Sequence, residues 1–489
     1  MSQFHPTKNL KNSAVIAYLA ALDHLKLVAP EIADQIVAEL QDQRRSLKLI
    51  ASENYSSLSV QLAMGNLLTD KYCEGYPYHR FYAGCEHVDA IEQRAADLAK
   101  QLFSADHAYV QPHSGADANL VALWSILIQR VQQPGIEKLS KKNLDELSVD
   151  EYEQLRQLLN RQTLLGLSLH SGGHLTHGYR HNVSAKMLRA VSYDVDPKTQ
   201  LLDYGRIAEI ARKEKPLILL AGYSAYPRLI DFAKMREIAD EVGAVLMVDM
   251  AHFSGLVAGG VFKGVHHPIE YAHIVTSTTH KTLRGPRGGM VLCKNEFADA
   301  VNKGCPLILG GPLPHVIAAK AICFQEALAS DFKDYAARIV KNSQALAEGL
   351  MKRGLKVVTN GTDNHLVLLD LTELPLTGRQ AELALREIGV TANRNMVPFD
   401  TKGPWYTAGV RLGTAALTTR GMGPDQMDHI AHIIHTVIRN LKPATIEERG
   451  KLSLARYILD EAIAIRARSM VSELLEHYPL YPELKIEER

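Results

Sequence analysis

Short apolar strands alternate with amphipathic helices from about residue 106 to residue 293, and no other feature of the chain limits its fold so strongly. The segment after Asp231 illustrates the pattern, because its apolar residues recur at helical spacing, Asp231 can cap the helix and Gly243 can end it. The strands predicted in this region lie at residues 108–110, 217–220, 244–248, 274–275 and 290–293. The alternation predicts a doubly wound α/β domain, which binds ligands at the carboxyl ends of its strands.

The balance of charges excludes one class of partner. Among 489 residues, 55 are Lys or Arg and 54 are Asp or Glu, so the formal net charge is +1. Nonspecific binding to nucleic acid needs a clear cationic excess, which this chain lacks. The five cysteines form no CxxC pair, which favours a reducing compartment, the cytoplasm. The apolar run at 14–22 is too short to span a membrane, and we interpret it as part of an amphipathic helix rather than a signal peptide.

The chain divides into three predicted parts. We expect residues 1–50 to form an N-terminal helical arm, residues 51–312 a large domain and residues 313–489 a smaller C-terminal α/β domain. Within the large domain, residues 132–163 are polar and charged, and we interpret them as an inserted, exposed helical hairpin. A final charged helical stretch is predicted from residue 446 to about residue 475.

Three polar features follow predicted strands at the edge where a ligand would bind. Asp249 comes directly after the strand at 244–248, and Lys281 follows the strand at 274–275 among several hydroxyl side chains. Ser114 and Gly115 lie between a strand and the start of a helix. Each feature alone has an ordinary structural explanation, such as a helix cap or an ion pair. Together they match pyridoxal phosphate, which needs an amine for its aldehyde, a carboxylate for its pyridinium nitrogen and N–H groups for its phosphate.

A run of histidines offers a rival interpretation. A zinc site could be formed by His170, His174, His177 and His181. Two glycines interrupt any helix that would align these ligands, and no HExxH sequence supplies a general base. We therefore expect no metal site, place His174 on the ring of the cofactor and treat the other histidines as structural.

The order of the motifs resembles that of the serine hydroxymethyltransferase family, from about Leu47 to past Arg420. The matching stretches are 49–55 (LIASENY), 70–77 (DKYCEGYP), 113–115 (HSG), 172–178 (GGHLTHG), 248–252 (VDMAH), 278–282 (TTHKT) and 361–365 (GTDNH). The resemblance implies a fold-type I pyridoxal-phosphate-dependent transferase, with a doubly wound mixed sheet in its large domain. It also implies reversible transfer of the hydroxymethyl carbon of L-serine to tetrahydrofolate, which gives glycine and 5,10-methylenetetrahydrofolate.

The resemblance also implies roles for individual residues. The expected cofactor contacts are Ser114, Gly115, His174, Ser224, Asp249, His252, Thr278 and Lys281, with Lys281 as the Schiff-base lysine and Asp249 on the pyridinium nitrogen. A homodimer with shared active sites is implied, in which Gly310 and Gly311 reach the phosphate of the neighbouring subunit. The expected catalytic residues are Lys281, Glu74, Tyr72, Tyr82 and His280, with Glu74 as the acid–base residue.

Two further sets complete the implied site. The substrate set is Ser52, Arg411, Tyr82 and Glu74, in which Arg411 forks onto the carboxylate of serine. The folate set is Leu169, Gly173, Leu175, Asn395, Gly403, Pro404 and Trp405.

The chain departs from the family pattern at several positions. Ala116 stands where a third hydroxyl is usual in the phosphate loop. Leu309 stands where a glutamine usually precedes the two glycines, and Phe81 where a tyrosine is common. The insert at 132–163 is absent from the compact bacterial form.

Two other functions remain open at this point. The same cofactor site supports a folate-independent aldolase or an amino-acid (alanine) racemase, and dependence of serine cleavage on folate would separate these from the transferase. A binding protein that kept the cofactor site without turnover is the alternative from another class, although the set of Lys, Asp, His, Arg and Glu side chains is complete.

Overall fold

The computed structural model describes residues 10–446 and 451–486. Residues 1–9, 447–450 and 487–489, which belong to the predicted N-terminal arm and C-terminal segment, lie outside the described residues. The helices predicted within residues 1–50 are confirmed as α1 (Leu10–Val28) and α2 (Pro30–Arg44). No helix in the described part of the chain is both long enough and apolar enough to cross a bilayer.

A seven-stranded mixed sheet is the largest in the structure. Its strands are β1 (His107–Tyr109), β2 (Thr163–Leu167), β3 (Arg189–Tyr193), β4 (Ile218–Gly222), β5 (Val245–Asp249), β6 (Ile274–Thr278) and β7 (Gly289–Cys293). The spatial order is β1-β7-β6-β5-β4-β2-β3. Strands β2 to β6 pair in parallel, whereas β7 is antiparallel to both β1 and β6. This arrangement confirms the predicted α/β architecture with a mixed sheet.

Strand β5 shows why these segments form a buried sheet. All five of its residues are buried, and alternate side chains belong to two different hydrophobic clusters. Leu246 and Val248 lie in one cluster, and Val245 and Met247 lie in the other. A strand that is covered on both faces has a continuous run of apolar residues, and this run is the reason that β5 could be predicted from the sequence.

The sequence did not indicate β2 and β3. Strand β2 begins at Thr163, directly after the polar segment that was interpreted as an insert, so residue 163 is buried sheet and not part of an exposed hairpin. Strand β3 lies at the edge of the sheet and keeps several residues partly exposed, so it has no apolar run.

The other long helices, numbered onward in chain order, flank and connect the sheets. They are α3 (Glu86–Phe103), α4 (Gly115–Leu127), α5 (Val149–Asn160), α6 (Tyr204–Glu214), α7 (Phe232–Val242), α8 (Pro314–Ala327), α9 (Ser330–Lys352), α10 (Gly378–Glu387), α11 (Pro424–Asn440) and α12 (Glu461–His477). Short helices occur at Leu58–Leu62, Gln133–Lys138, Ser184–Met187, Ser254–Ala258, Pro268–Tyr271, Ala298–Asn302, Gly304–Leu307, Gly403–Tyr406 and Ala415–Thr419. The predicted caps of α7 are confirmed, because the side chain of Asp231 accepts from the backbone N of Lys234 at 3.0 Å and Gly243 has a φ of +72°.

A second, antiparallel sheet lies in the C-terminal half of the chain. Its strands are β8 (Lys356–Val357), β9 (Leu366–Asp370), β10 (Asn393–Asn395) and β11 (Gly409–Gly413), in the spatial order β8-β9-β11-β10. Most of its buried apolar residues form one hydrophobic cluster with helices α9, α10 and α11. The cluster also takes in Leu47 and Leu49 from the end of the N-terminal arm.

The prediction of a helix from residue 446 was wrong for its first part. Strand β12 (Lys442–Ile446) pairs antiparallel with β13 (Lys451–Ile458), and α12 begins only at Glu461. The side chain of Gln380 donates to the backbone carbonyls of Ser453 and Arg456, which holds β13 extended against α10. This is a tertiary contact, and local sequence spacing does not report it.

Candidate active site

The carboxyl ends of β4, β5 and β6 border a cavity of about 430 Å³. Its lining includes Ser52, Ser114, His174, Asp249, His252 and Lys281. The three features that the sequence placed at the edge of the sheet therefore meet in one cavity. They meet because the strands that precede them lie side by side, as the binding rule for such sheets requires.

The carboxylate of Asp249 is almost fully buried at the end of β5. Its Oδ2 atom accepts hydrogen bonds from Nδ2 of Asn119 at 2.9 Å and from Nε2 of His177 at 3.1 Å, and its Oδ1 atom accepts from the backbone N of Ala251 at 3.0 Å. Burial alone would raise the pKa of Asp249, but the hydrogen bond and electrostatic attraction from His177, supported by Asn119, hold that pKa below its usual range. A carboxylate has about four acceptor positions, so one remains for a donor in the cavity.

The amine of Lys281 faces the same cavity from the segment after β6. Burial lowers the pKa of Lys281 to about 8; the negative charge of Asp249 opposes this shift, and the positive charges of Arg411 and Arg287 add to it. The backbone here is fixed by Asn54, whose Nδ2 donates to the carbonyl of Lys281 at 2.8 Å. A lysine that loses its proton this readily is a competent nucleophile toward an aldehyde.

Helix α4 begins at the cavity wall. Ser114 caps it, with its Oγ atom accepting from the backbone N of Asp117 at 3.1 Å, and Gly115 follows. A Cβ atom at Gly115 would lie 2.7 Å from Cγ2 of Thr278, and one at Gly289 would lie 2.2 Å from the carbonyl oxygen of Ser114. Glycine is therefore required where these backbones approach. The uncommitted N–H groups of the first turn form a site suited to a phosphate.

Two predicted hydroxyl contacts are arranged differently from each other. Thr278 lines the cavity, but its Oγ1 atom donates to the carbonyl of Ala251 at 3.1 Å, so the hydroxyl holds the end of β6 against the segment after β5. Ser224 also lines the cavity, and its backbone N donates to the carbonyl of Gly172 at 2.7 Å. This hydrogen bond fixes the backbone from which the Ser224 side chain extends.

Three imidazoles line the same cavity as Lys281: His252 is buried, and His174 and His280 are partly exposed. Burial lowers the pKa of His174 to about 4 and that of His280 to about 3, and it lowers the pKa of His252 as well. Neutral rings result, and a neutral flat ring suits stacking on an aromatic ligand. Nδ1 of His252 lies 3.1 Å from Nε2 of His365, so these two imidazoles share a hydrogen bond.

Arg411 reaches toward this region from β11 of the second sheet. Its Nη1 atom donates to the carbonyl of Ser224 at 2.7 Å, and its Nε atom donates to Oδ1 of Asn393 at 3.2 Å. Burial lowers the pKa of Arg411 to about 10, which leaves the guanidinium charged at neutral pH. The two bonds use two of five N–H donors, so the planar fork retains donors for a carboxylate.

The remaining predicted catalytic residues lie elsewhere in the chain, in what we call the Tyr72 cluster (Tyr72, Glu74, Tyr82 and Gly311). The Tyr72 hydroxyl donates to Oε1 of Glu74 at 3.2 Å, and the rings of Tyr72 and Tyr82 are 4.9 Å apart. A Cβ atom at Gly311 would lie 3.2 Å from Cζ of Tyr72. Both tyrosines are about half exposed, and none of the four residues lines the Lys281 cavity of the same chain.

The residues of the predicted folate set come from two parts of the chain: residues 169–175, which follow β2, and residues 395–405, which lie on and after β10. Leu169 lines a neighbouring cavity of about 490 Å³ that also touches His174, and Leu175 is partly exposed beside it. Asn395 lies on β10, and its Nδ2 donates to the carbonyl of Met396. The other members are Gly173, whose Cβ would lie 2.0 Å from the carbonyl oxygen of Leu167, and the short helix Gly403–Tyr406, which carries Pro404 and the exposed Trp405.

The histidines weighed as zinc ligands have other surroundings. His177 is buried against Asp249, and His174 bonds through Nδ1 to Oγ1 of Thr176 at 2.7 Å. Among residues 10–446 and 451–486, no three side chains of His, Cys, Asp or Glu come together in a way that could hold a metal ion. The part of the chain that the structure describes therefore offers no set of ligands for the zinc interpretation.

Two residues of the site were missed or undervalued in the sequence. Asn119 lies one helical turn after Gly115 and binds Asp249, and His177, treated above as structural, binds the same carboxylate. The spacing of Asn119 on the first turns of α4 was a usable signal. His177 gave no such signal, because its approach to β5 depends on a loop between β2 and β3.

The cavity therefore combines an amine, Lys281, whose pKa is about 8 with a carboxylate, Asp249, that stays ionised. The amine can bind an aldehyde and the carboxylate can bind a protonated ring nitrogen. A ring that carries an aldehyde, a basic nitrogen and a phosphate fits this donor set and the start of α4. The α/β fold and this cavity define the class, the pyridoxal-phosphate-dependent enzymes.

Comparisons with known proteins narrow the class to a family. The family model described as serine hydroxymethyltransferase matches residues 25–137 and 148–434. A serine hydroxymethyltransferase of Treponema pallidum (strain Nichols) is 57% identical over 473 residues, which is 97% of this chain and 82% of that protein. One of Salinispora tropica is 55% identical over 475 residues, or 97% and 99% of the two chains, and one of Chlamydia trachomatis is 54% identical over 481 residues, or 98% and 97%. The chain belongs to the serine hydroxymethyltransferase family.

The family match also bears on the insert. Residues 138–147 separate the two matched stretches and lie within the region 132–163. Helix α5 (Val149–Asn160) falls in the second matched stretch, so the segment outside the family pattern is shorter than the sequence suggested.

We predict that the amine of Lys281 in the protein without cofactor reacts with a small amine-reactive electrophile along a titration curve centred near pH 8. About half of the side chain is then neutral at pH 8, where an ordinary lysine is almost wholly protonated. Peptide mapping of the labelled protein measures the curve. In Asp249→Asn the midpoint moves to lower pH, because the charge that opposes the shift is gone; an unchanged midpoint near 10.5 in the parent chain would contradict the assignment.

Proposed function

We propose that this chain is a serine hydroxymethyltransferase, which transfers the hydroxymethyl carbon of L-serine to tetrahydrofolate and releases glycine and 5,10-methylenetetrahydrofolate. The observation that carries the proposal is the meeting of Lys281 and Asp249 in one cavity, within the stretch of chain that the family model matches. The cofactor is pyridoxal phosphate, and the reaction is reversible.

The cavity supplies what that cofactor needs. Lys281 would hold the aldehyde, Asp249 would hold the pyridinium nitrogen through its remaining acceptor position, and the start of α4 at Ser114 would hold the phosphate. His174 would stack on the ring, and His252 would contact the oxygen next to the aldehyde. When bound, the cofactor withdraws electrons from the Cα atom of an amino acid. Because Asp249 stays ionised while buried, it would keep the ring nitrogen protonated.

Arg411 would orient the substrate. Its guanidinium is anchored by Ser224 and Asn393 and remains charged, so it can bind the carboxylate of serine in a bidentate manner, with Ser52 beside it. A carboxylate fixed in one plane sets the direction of the bond between Cα and Cβ. Orientation of this kind selects which bond breaks.

The Tyr72 cluster would act in the active site of a second chain. Glu74 would move the proton of the serine hydroxyl, with Tyr72 and Tyr82 around it, and Gly310 and Gly311 would approach the neighbour's phosphate. The support is that Glu74 and Gly311 lie together and away from the Lys281 cavity of their own chain. A homodimer with two shared sites would bring the two halves together.

The other parts of the proposal follow from the family. Tetrahydrofolate would contact Leu169, Gly173 and Leu175 on one side and Asn395 with Gly403, Pro404 and Trp405 on the other. His280 would remain neutral beside Lys281. The domains would be an arm at 1–50, a large domain at 51–312 and a small one at 313–489. Most of the buried residues of the second sheet support this, because they form a cluster apart from that of the seven-stranded sheet, although α8 and the first half of α9 pack into the latter. The compartment would be the cytoplasm.

Folate dependence tests the function directly. We predict that the purified chain with pyridoxal phosphate converts L-serine to glycine rapidly only when tetrahydrofolate is present, since the folate accepts the carbon. Product analysis with and without folate measures this. Equal rates of serine cleavage in both conditions would instead favour a folate-independent aldolase.

We predict that Arg411→Ala raises the serine KM by about 10-fold to 100-fold, because a charge-assisted fork contributes about 1.5–3 kcal/mol. Initial rates over a range of serine concentrations measure the change. Arg411→Lys is the matched control, since it keeps the charge but loses the planar fork. Its serine KM is expected to lie between that of the parent chain and that of Arg411→Ala. A serine KM that stays at the parent value in Arg411→Ala would remove Arg411 from this role.

Shared sites predict recovery of activity in mixed dimers. Lys281→Ala and Glu74→Gln chains are each expected to turn over poorly alone. When they are unfolded and refolded together, one site of each hybrid dimer has both residues intact, so about a quarter of the parent activity returns. A mixture that stays as inactive as its components shows that Glu74 and Lys281 serve the same chain.

A further inference from the structure

Lys320 is a buried lysine that the proposed reaction does not use. It lies on α8 with 1% of its surface exposed, and its Nζ atom donates to three backbone carbonyls. The distances are 2.6 Å to Val110, 2.9 Å to Pro112 and 2.8 Å to Gly289. An ammonium group has three N–H donors, so every donor has a partner.

The protonated form is the one that fits this arrangement. Burial lowers the pKa of Lys320 to about 7, and the charges of Glu92 and Asp117 oppose that shift. A neutral amine has only two N–H donors, so it would turn a lone pair toward one of the carbonyls, which is unfavourable in a buried site. The three carbonyls therefore favour the charge.

The three carbonyls come from two segments that build the proposed phosphate site. Val110 and Pro112 precede Ser114, which caps α4. Gly289 begins β7, after the loop that follows Lys281, and its backbone N donates to the carbonyl of Pro112 at 2.8 Å. Lys320 thus joins the segment before α4 to the segment after Lys281, behind the wall of the cavity.

A neighbouring glycine leaves room for the lysine. A Cβ atom at Gly288 would lie 2.5 Å from Cε of Lys320 and 2.9 Å from its Nζ atom. The end of a lysine side chain is flexible, so a methyl group at position 288 would displace the ammonium from its carbonyls. Gly288 gives an independent way to disturb the same contact without removing the charge.

We propose that Lys320 is a positioning residue, whose ammonium group holds the start of α4 against the segment after Lys281 so that the helix presents its N–H groups to the phosphate of the cofactor. Lys320 acts through these backbones and touches neither cofactor nor substrate. The inference rests on the proposed function, because it concerns the binding of pyridoxal phosphate.

The test compares two probes that differ only in the phosphate group. Apo protein is titrated with pyridoxal phosphate and with pyridoxal, and absorbance gives the two dissociation constants. In Lys320→Met the preference for pyridoxal phosphate over pyridoxal is expected to fall by about tenfold or more, as when a supporting residue behind a ligand contact is removed. Gly288→Ala is expected to reduce the preference in the same direction, and the double variant should add little to Lys320→Met.

Asn342→Leu is the matched control. Asn342 lies on α9, is also fully buried and donates to Oγ1 of Thr418 and to the carbonyl of Met422; none of these three residues lines the Lys281 cavity. It should lower the urea midpoint of the apo protein without changing the preference between the probes. The inference is wrong if Lys320→Met weakens the binding of both probes by the same factor, or the binding of neither. If Lys320→Met does not fold, the same comparison is made with Gly288→Ala. Failure of the parent chain to bind pyridoxal phosphate would instead overturn the proposed function.

Discussion

The site depends on keeping one carboxylate ionised inside the protein. A buried charge without partners is costly, so the fold must bring donors to Asp249 from outside its own strand. The donors are Asn119 from α4, His177 from the loop between β2 and β3, and the backbone after β5. Three separate elements are thereby tied to one point at the edge of the sheet. The same elements carry the proposed phosphate site and His174, so the residues that stabilise the buried charge also bring the walls of the cavity together.

Close backbone approach is the second requirement. The carbonyl of Ser114 would be 2.2 Å from a Cβ atom at Gly289, and Thr278 leaves no room for a side chain at Gly115. Such contacts bring the start of α4 onto the ends of β6 and β7, and the ammonium of Lys320 holds the same segments from behind. This side of the site is therefore made mostly of closely packed backbone, which the Lys320 side chain hydrogen-bonds from behind.

The departures from the family pattern fall at positions with different surroundings. Ala116 lines the cavity with a methyl group, so at the proposed phosphate site only backbone N–H groups and Ser114 would be available as donors from the start of α4. Leu309 is buried in the cluster beneath the sheet, next to the two glycines, and takes part in packing. Phe81 is 70% exposed, a large apolar surface beside the Tyr72 cluster. In the proposed dimer, a second chain would cover Phe81 and the half-exposed tyrosines of the Tyr72 cluster.

The sequence by itself determined the α/β architecture, the capped helix after Asp231, and the presence of Lys281, Asp249 and Ser114 at strand ends, because these depend on local periodicity and on a general rule for parallel sheets. Only the tertiary structure decided which residues pair with Asp249, that residues 451–458 form a strand, and that Glu74 lies apart from Lys281 within one chain. The reason is physical. Periodicity reports which face of an element is buried, whereas the pairing of a buried charge, the hold of Gln380 on β13 and the separation of two clusters depend on contacts between segments far apart in the sequence.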